Sequence, residues 1–287
     1  MLEAVLPWYA AHARDLPWRS ADRTPWGVLV SEVMLQQTPV ARVLPVWAEW
    51  MRRWPTPEAL AAEASGEAIR AWGRLGYPRR ALRLHAAARA ISEHHAGIVP
   101  DTYDALIRLP GVGDYTAAAV ASFAFGRRQV VLDTNVRRVL ARAVSGTEHP
   151  PSSTTAAERR LTASLLPPEP STAARWSVAV MELGALVCTA RSPDCGRCPV
   201  AATCSWRMAG SPPHSGAPRR GQAWAGTDRQ ARGRLMAVVR GSADPVPTTA
   251  LDAAWPVVDQ RERALAGLVD DGLLERVGEH HVGLPAG

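Results

Sequence analysis

The sequence predicts a mainly helical, all-α body followed by a small C-terminal module, and three observations carry that prediction. Apolar residues recur at helical spacing as far as about position 205, and alanine, leucine and arginine dominate while strand signals are few. Proline- and glycine-rich breaks punctuate the pattern at Pro55–Pro57, His149–Ser153, Pro167–Pro170 and Gly210–Pro218, the last being the best candidate linker. Beyond it, helical stretches near Arg229–Arg240 and Gln260–Asp271 precede Gly272–Val282, which alternates like a hairpin. That order suggests a winged-helix-like unit.

At 287 residues and 47% hydrophobic content, the chain can bury cores for two or three domains. Its formal net charge of +6 and its arginine doublets, such as Arg79-Arg80 and Arg137-Arg138, point to a polyanionic partner, nucleic acid first. An arginine-rich surface as a general habit of the chain is the other reading. All 33 basic residues are arginine, so lysine-dependent Schiff-base chemistry is excluded from the side chains. No secretory signal and no apolar stretch of membrane-spanning length is present, and a reducing, cytoplasmic compartment is expected.

Taken along the chain, the first candidate for chemistry is Glu32, within Gly27–Pro39. In a helix, Val28, Glu32 and Leu35 share one stripe, so the carboxyl projects among apolar groups. Burial there raises its pKa and makes it a candidate general acid, whereas a solvated helix-edge glutamate would do nothing.

The next is Leu109-Pro-Gly-Val-Gly-Asp-Tyr-Thr116. A helix from Thr102 ends at Pro110, Gly111 and Gly113 make a tight turn, and helix resumes over Ala117–Phe125. Backbone N–H groups at the second helix's start then form an anion site that a phosphodiester can approach closely. Asp133 closes a short apolar run and opens another helix. It is expected to cap that helix and to stay ionised there, the state needed to face a developing cation.

Every cysteine lies in Cys188-x6-Cys195-x2-Cys198-x5-Cys204, which reads as one metal-ligand set. Structural zinc is one reading. An iron–sulfur cluster suits the uneven spacing better, because zinc sites usually pair two close knuckles.

Glu32 within SEVMLQQT, the hairpin LPGVGDYT, Asp133 in LDTN and the cysteine loop, in this order, resemble the endonuclease III (helix-hairpin-helix-Gly/Pro-Asp) superfamily of DNA glycosylases over residues 1 to about 210. Within it, the SEVMLQQT segment and the absence of a hairpin lysine, Tyr115 standing in its place, resemble the MutY-type adenine-specific branch.

The resemblance implies two helical domains. A [4Fe–4S] cluster domain would be formed by 1–21 with 129–210, and a six-helix domain with the helix-hairpin-helix by 22–128; a 211–228 linker and the 229–287 module would follow. It also implies a monofunctional enzyme, monomeric and nucleoid-associated, that flips adenine opposite 8-oxoguanine or guanine out of double-stranded DNA. Glu32 would protonate the base, Asp133 would stabilise or trap the sugar cation, and Tyr115 and Asn135 would assist. Trp18 and Arg19 match the base pocket, Gln37 and Thr38 the gap-filling residues, and Tyr77 the intercalating wedge. Gly111 and Gly113 would meet phosphate, and Cys188, Cys195, Cys198 and Cys204 would hold the cluster. The alternatives are a mismatch-specific thymine or uracil glycosylase and a non-enzymatic iron–sulfur DNA-binding protein. Two features depart from the branch: Thr134 stands where glycine is common, and the tail is too short for a NUDIX-like 8-oxoguanine reader.

Overall fold

The computed structural model describes residues 1–214 and 224–286. Part of the expected linker, 215–223, and Gly287 therefore lie outside the described residues. In chain order the helices are α1 (Leu2–His12), α2 (Pro25–Met34), α3 (Val40–Arg53), α4 (Pro57–Ala61), α5 (Ser65–Trp72), α6 (Arg79–His94) and α7 (Tyr103–Leu106). They continue with α8 (Asp114–Phe125), α9 (Thr134–Ala143), α10 (Ala156–Leu165), α11 (Pro170–Leu186), α12 (Ser205–Met208), α13 (Asp228–Gly241) and α14 (Val258–Asp270). Short strands β1 (Val246–Pro247), β2 (Glu275–Val277) and β3 (His281–Gly283) complete an all-α protein with one small sheet.

Contacts group the chain into two units. The first comprises Met1–Glu32, Pro100–Arg108 and the described part of Val112–Pro218; the second comprises Val33–Val99, Leu109–Gly111 and the described part of Arg219–Gly287.

In the first unit, α11 is the central element, packed by α1, α8 and α9. Its buried face, Trp176, Val180 and Leu183, meets Val136, Val139 and Leu140 of α9 and Val5 of α1. Truncating a core side chain of this kind costs about 2–5 kcal/mol. The approach of α9 to α11 is close because Gly184 has no side chain: a Cβ there would stand 2.7 Å from Asn135 Cβ and 2.9 Å from its carbonyl oxygen. Helix α8 is almost uniformly small and apolar, Ala117–Ala121 being wholly buried, and it starts at Asp114, three residues before the expected position, because Gly113 already serves as its N-cap.

In the second unit, α6 packs on α4 and α5, and Trp50 meets Trp54 and Trp72 edge to face at 4.9 and 5.6 Å. Helices α13 and α14 pair with each other, and α13 also rests on α5. The sheet order is β1-β3-β2, all antiparallel, with Val246 opposite Val282 and Val282 opposite Arg276. The expected hairpin is thus present, and β1, too short and proline-ended to be read from sequence, turns it into a wing. The chain's end is tied down where Gly66 N–H donates to Pro285 O at 2.9 Å, a spot where any Cβ on residue 66 would strike that carbonyl.

Candidate active site and cluster loop

Glu32 comes off the middle of α2 and is only 5% exposed. Every backbone amide near it is used within the helix, so the carboxyl gains little solvation from its own chain. Its partner is Tyr115 of α8, whose hydroxyl donates to Glu32 Oε2 at 2.8 Å. Burial pushes the Glu32 pKa up to about 7, opposed by the Tyr115 hydrogen bond and the positive charge of Arg19 and reinforced by the negative charge of Asp133. Tyr115 is itself pushed well above the usual phenol value, by burial first and then by Glu32 and Asp133, so it remains a donor.

Asp133 is the N-cap of α9. Its Oδ1 accepts from Val136 N–H at 2.6 Å and its Oδ2 from the Asn135 amide at 2.7 Å. Burial raises the Asp133 pKa, and these two donors together with the charge of Arg138 oppose that rise without cancelling it. Asp133 still has more groups favouring its anion than Glu32 does.

Trp18 and Arg19 lie on a short 3₁₀ turn, Pro17–Arg19, with Trp18 buried. What holds Arg19 lies far from it in the chain and has no local signature. Glu182 of α11, 0% exposed, takes Arg14 in a two-pronged grip, Nε to Oε1 and Nη2 to Oε2 both at 2.7 Å, and stands 3.0 Å from Arg19 Nη1.

The N-terminal half of α9 also reaches the cysteine loop. Arg138 Nη2 donates to Asn135 Oδ1 at 2.8 Å and to Gly184 O at 2.7 Å, while its Nε donates to Cys188 O at 2.7 Å. One turn on, Arg142 donates to Thr189 O, Ala190 O and, at 3.5 Å, to Cys188 Sγ. Both are buried cations; the sequence shows Arg138 only as half of an arginine doublet and does not single out Arg142.

Cys188, Cys195, Cys198 and Cys204 line one cavity walled by Val139, Leu183, Val187, Val200 and Trp206. Among the described residues no three His, Cys, Asp or Glu side chains converge as a ready metal site; the four cysteines are brought together as lining of the same cavity. Burial raises the thiols of Cys188 and Cys198, and the Arg142 guanidinium opposes that at Cys188, as suits a sulfur that becomes a thiolate ligand. The donor set and the apolar wall fit a [4Fe–4S] cluster.

In the second unit, Gln37 and Tyr77 both hold left-handed backbone, φ 56° and 48°, which is strained for residues with side chains. Both are exposed, Tyr77 at 51%, so Tyr77 is not the core aromatic it could have been. Thr38 is buried and accepts from Arg80 Nη2 at 3.0 Å. Buried Arg80 is the local organiser: it also donates to Val33 O, Met34 O and Gln36 O at the end of α2 and lies 5.7 Å from the Tyr77 ring centre. Its burial lowers its pKa to about 10. Gly111 needs its φ of +73°, and a Cβ there would strike Arg83 at 2.4 Å. Gly113, in the first unit, is extended and exposed, with open space where a Cβ would stand.

Comparison with known proteins agrees with this geometry. Residues 30–164 match the HhH-GPD superfamily of base excision DNA repair proteins, and 188–204 match the iron–sulfur binding domain of endonuclease III. The adenine DNA glycosylase of Mycobacterium tuberculosis (strain ATCC 25618 / H37Rv) is 52% identical, covering 98% of this chain and 92% of the relative. That of Mycolicibacterium smegmatis is 51% identical over 98% of each, and the human enzyme of the same name is 42% identical over 71% of this chain and 39% of its own length. Among solved structures, a thermostable thymine-DNA glycosylase aligns with TM-score 0.66 and 27% identity over 72% of this chain and 95% of its own. A trapped endonuclease III–DNA covalent intermediate aligns with TM-score 0.58 and 26% identity over the same shares. The fold is thus shared with thymine-directed and endonuclease III enzymes, but identity nearly twice as high, sustained over 98% of the chain, singles out one branch. The chain belongs to the adenine DNA glycosylase family of the HhH-GPD superfamily.

Proposed function

We propose that this protein removes adenine mispaired with 8-oxoguanine or guanine from double-stranded DNA by hydrolysing the N-glycosidic bond, without a lyase step. The observation that carries the reading is the pairing of Glu32, whose carboxyl titrates near neutrality, with Asp133, whose anion is held by a helix N-terminus and Asn135.

With adenine flipped into the pocket, protonated Glu32 gives its proton to N7, and the C1′–N9 electron pair leaves with the base. Asp133 faces the resulting oxocarbenium ion or bonds to it, in the manner of a retaining glycosidase. Ionised Glu32 then takes a proton from water, whose oxygen bonds to C1′ while any Asp133–C1′ bond breaks and returns its electron pair to the carboxylate, leaving an abasic site. Tyr115 holds Glu32 in place, and Asn135 does the same for Asp133. Trp18 and Arg19 frame the base. Gln37, Thr38 and Tyr77 act on the opposite strand, and Gly111 and Gly113 admit the phosphodiester. A chain without lysine supports a monofunctional reaction.

The [4Fe–4S] cofactor, held by Cys188, Cys195, Cys198 and Cys204, supplies a structural crosslink for a loop carrying exposed Arg191, Arg197 and Arg207, which would meet phosphate. No described helix is long and apolar enough to cross a membrane. We place the protein in the cytoplasm at the nucleoid, as a monomer, with the cluster, six-helix and C-terminal domains bounded as the family resemblance implies.

The test uses end-labelled duplexes carrying A opposite 8-oxoguanine, A opposite G, T opposite G and U opposite G, scored for strand breaks with and without hot alkali. Breaks in the adenine strand alone, and only after alkali, are the expected result. Breaks in the T or U strand alone would move the protein to the thymine or uracil class. Binding without cleavage would make it a non-enzymatic DNA-binding protein.

A further inference from the structure

Glu182 is the most completely buried acid in the first unit, and nothing in the reaction scheme above uses it. It emerges from α11 between Met181 and Leu183, in a helix whose buried residues are otherwise apolar apart from Ser177. A buried carboxylate costs several kcal/mol unless it is paired. Here it is paired twice: Arg14 grips both oxygens and adds its backbone N–H to Oε1 at 3.1 Å, and Arg19 Nη1 stands 3.0 Å from Oε2. The two contacts are unequal. Arg14 makes aligned hydrogen bonds, whereas Arg19 Nη1, also buried, makes none that is aligned, so its attraction to Glu182 is electrostatic and the donor is left for another acceptor.

Arg19 lies within electrostatic reach of both Glu32 and Tyr115. The charged and titratable groups facing Glu32 are therefore Arg19 from the 3₁₀ turn, Tyr115 from α8 and Asp133 at the start of α9. Those facing Glu182 are Arg14 and Arg19. One carboxylate against two guanidinium groups leaves a net single positive charge, held on the α11 side of Arg19. Freed from Glu182, Arg19 would turn its full charge on Glu32, whose ionised form it already favours, and hold it ionised.

We propose that Glu182 is a positioning residue for base excision: by anchoring Arg14 and Arg19 it keeps Arg19 from forming an ion pair with Glu32 and so keeps Glu32 available as an acid. The inference rests on the functional reading above, in which protonated Glu32 initiates excision.

The experiment is the pH dependence of single-turnover adenine release by the purified, cluster-loaded protein and its variants, each checked for fold by far-UV circular dichroism and cluster absorbance. Glu182→Gln removes the charge while keeping the size. The expected result is that the pH of half-maximal rate falls by about one unit, with a rate near neutrality about tenfold below wild type and recovery on acidification. Glu182→Asp restores the charge and should return the midpoint to the wild-type value even where its maximal rate is lower. Should Glu182→Gln not hold its fold, Arg14→Gln tests the same geometry with the opposite sign: Glu182 then neutralises Arg19 fully, and the midpoint rises. A folded Glu182→Gln or Arg14→Gln variant with an unmoved midpoint would overturn the proposal and leave Glu182 a structural ion pair. Absence of adenine release by the wild type is a different outcome, which would overturn the functional reading and this inference with it.

Discussion

The middle of α2 and the N-terminus of α9 each deliver one carboxyl to the same site, on different physical terms. Glu32 leaves a helix interior where the backbone amides are committed to the helix, and it accepts a hydrogen bond from the Tyr115 phenol. Asp133 sits where a helix has unused amides, and it takes one of them together with the Asn135 side chain. Burial pushes both pKa values up. What separates the two is the supply of donors: the mid-helix position leaves Glu32 with the Tyr115 phenol, while the capping position gives Asp133 a backbone amide and a side-chain amide that favour its anion.

The largest effects test that division directly. Glu32→Gln removes the transferable proton and should slow single-turnover adenine release by about 10²–10⁴-fold at every pH. Asp133→Asn keeps a cap for α9 but removes the anion, and about 10²–10³-fold is expected, with the pH midpoint set by Glu32 still visible in the residual rate. A residual Asp133→Asn activity that loses this midpoint would mean the two carboxyls titrate as one unit.

The same burial sets a stability cost. A carboxyl with a folded-state pKa near 7 and an unfolded value near 4.5 contributes stability below the lower value, and that contribution is lost as pH rises through the higher one. Wild-type protein should therefore weaken between about pH 5 and pH 8, and Glu32→Gln should recover up to about 3 kcal/mol above pH 7, read as a higher denaturation midpoint. Equal stabilities at pH 8 would show that Glu32 is solvated in solution, and the contrast with Asp133 would collapse.

A smaller effect should touch one arm only. Gly184→Ala drives a methyl into Asn135 Cβ and carbonyl oxygen, so α9 must shift against α11 at the turn that holds Asp133. A loss of about 1–3 kcal/mol is expected, with slower excision and an unchanged Glu32 midpoint. Thermal unfolding and a pH–rate profile check both parts, and a moved midpoint would show that the two arms are mechanically coupled.

Much of this was legible in the sequence, and the boundary of what was legible has a physical basis. Local patterns survived: the Val28–Glu32 spacing placed an acid on a buried helix face, although α2 ends at Met34 before Leu35, Asp133 opened a helix, and the two-glycine turn preceded α8. Pairings across long separations did not. Glu182 meets Arg14 over 168 positions, and nothing local distinguishes it from a solvated residue except its place in an apolar helical run, the same signal that exposed Glu32. The burial of Arg80 and Arg138, read only as halves of arginine doublets, and of Arg142 was not legible because their acceptors are largely backbone carbonyls, which carry no side-chain signature. The upward shift at Asp133 was missed for a related reason: capping can be read from sequence, but the depth of burial around the cap cannot.

The finest test of the contrast is Tyr115→Phe. The Tyr115 hydroxyl favours ionised Glu32, so losing it should raise the Glu32 pKa above about 7 and carry the alkaline limb of the excision profile upward by about half a unit to one unit. The rate below that limb should change only a few-fold, through looser placement of the carboxyl, because the phenol itself holds its proton throughout. A downward shift would mean that Arg19, rather than Tyr115, governs the ionisation of Glu32 once the phenol is gone. The mid-helix carboxyl would then owe its availability as an acid to the Glu182 anchor more than to its apolar wall.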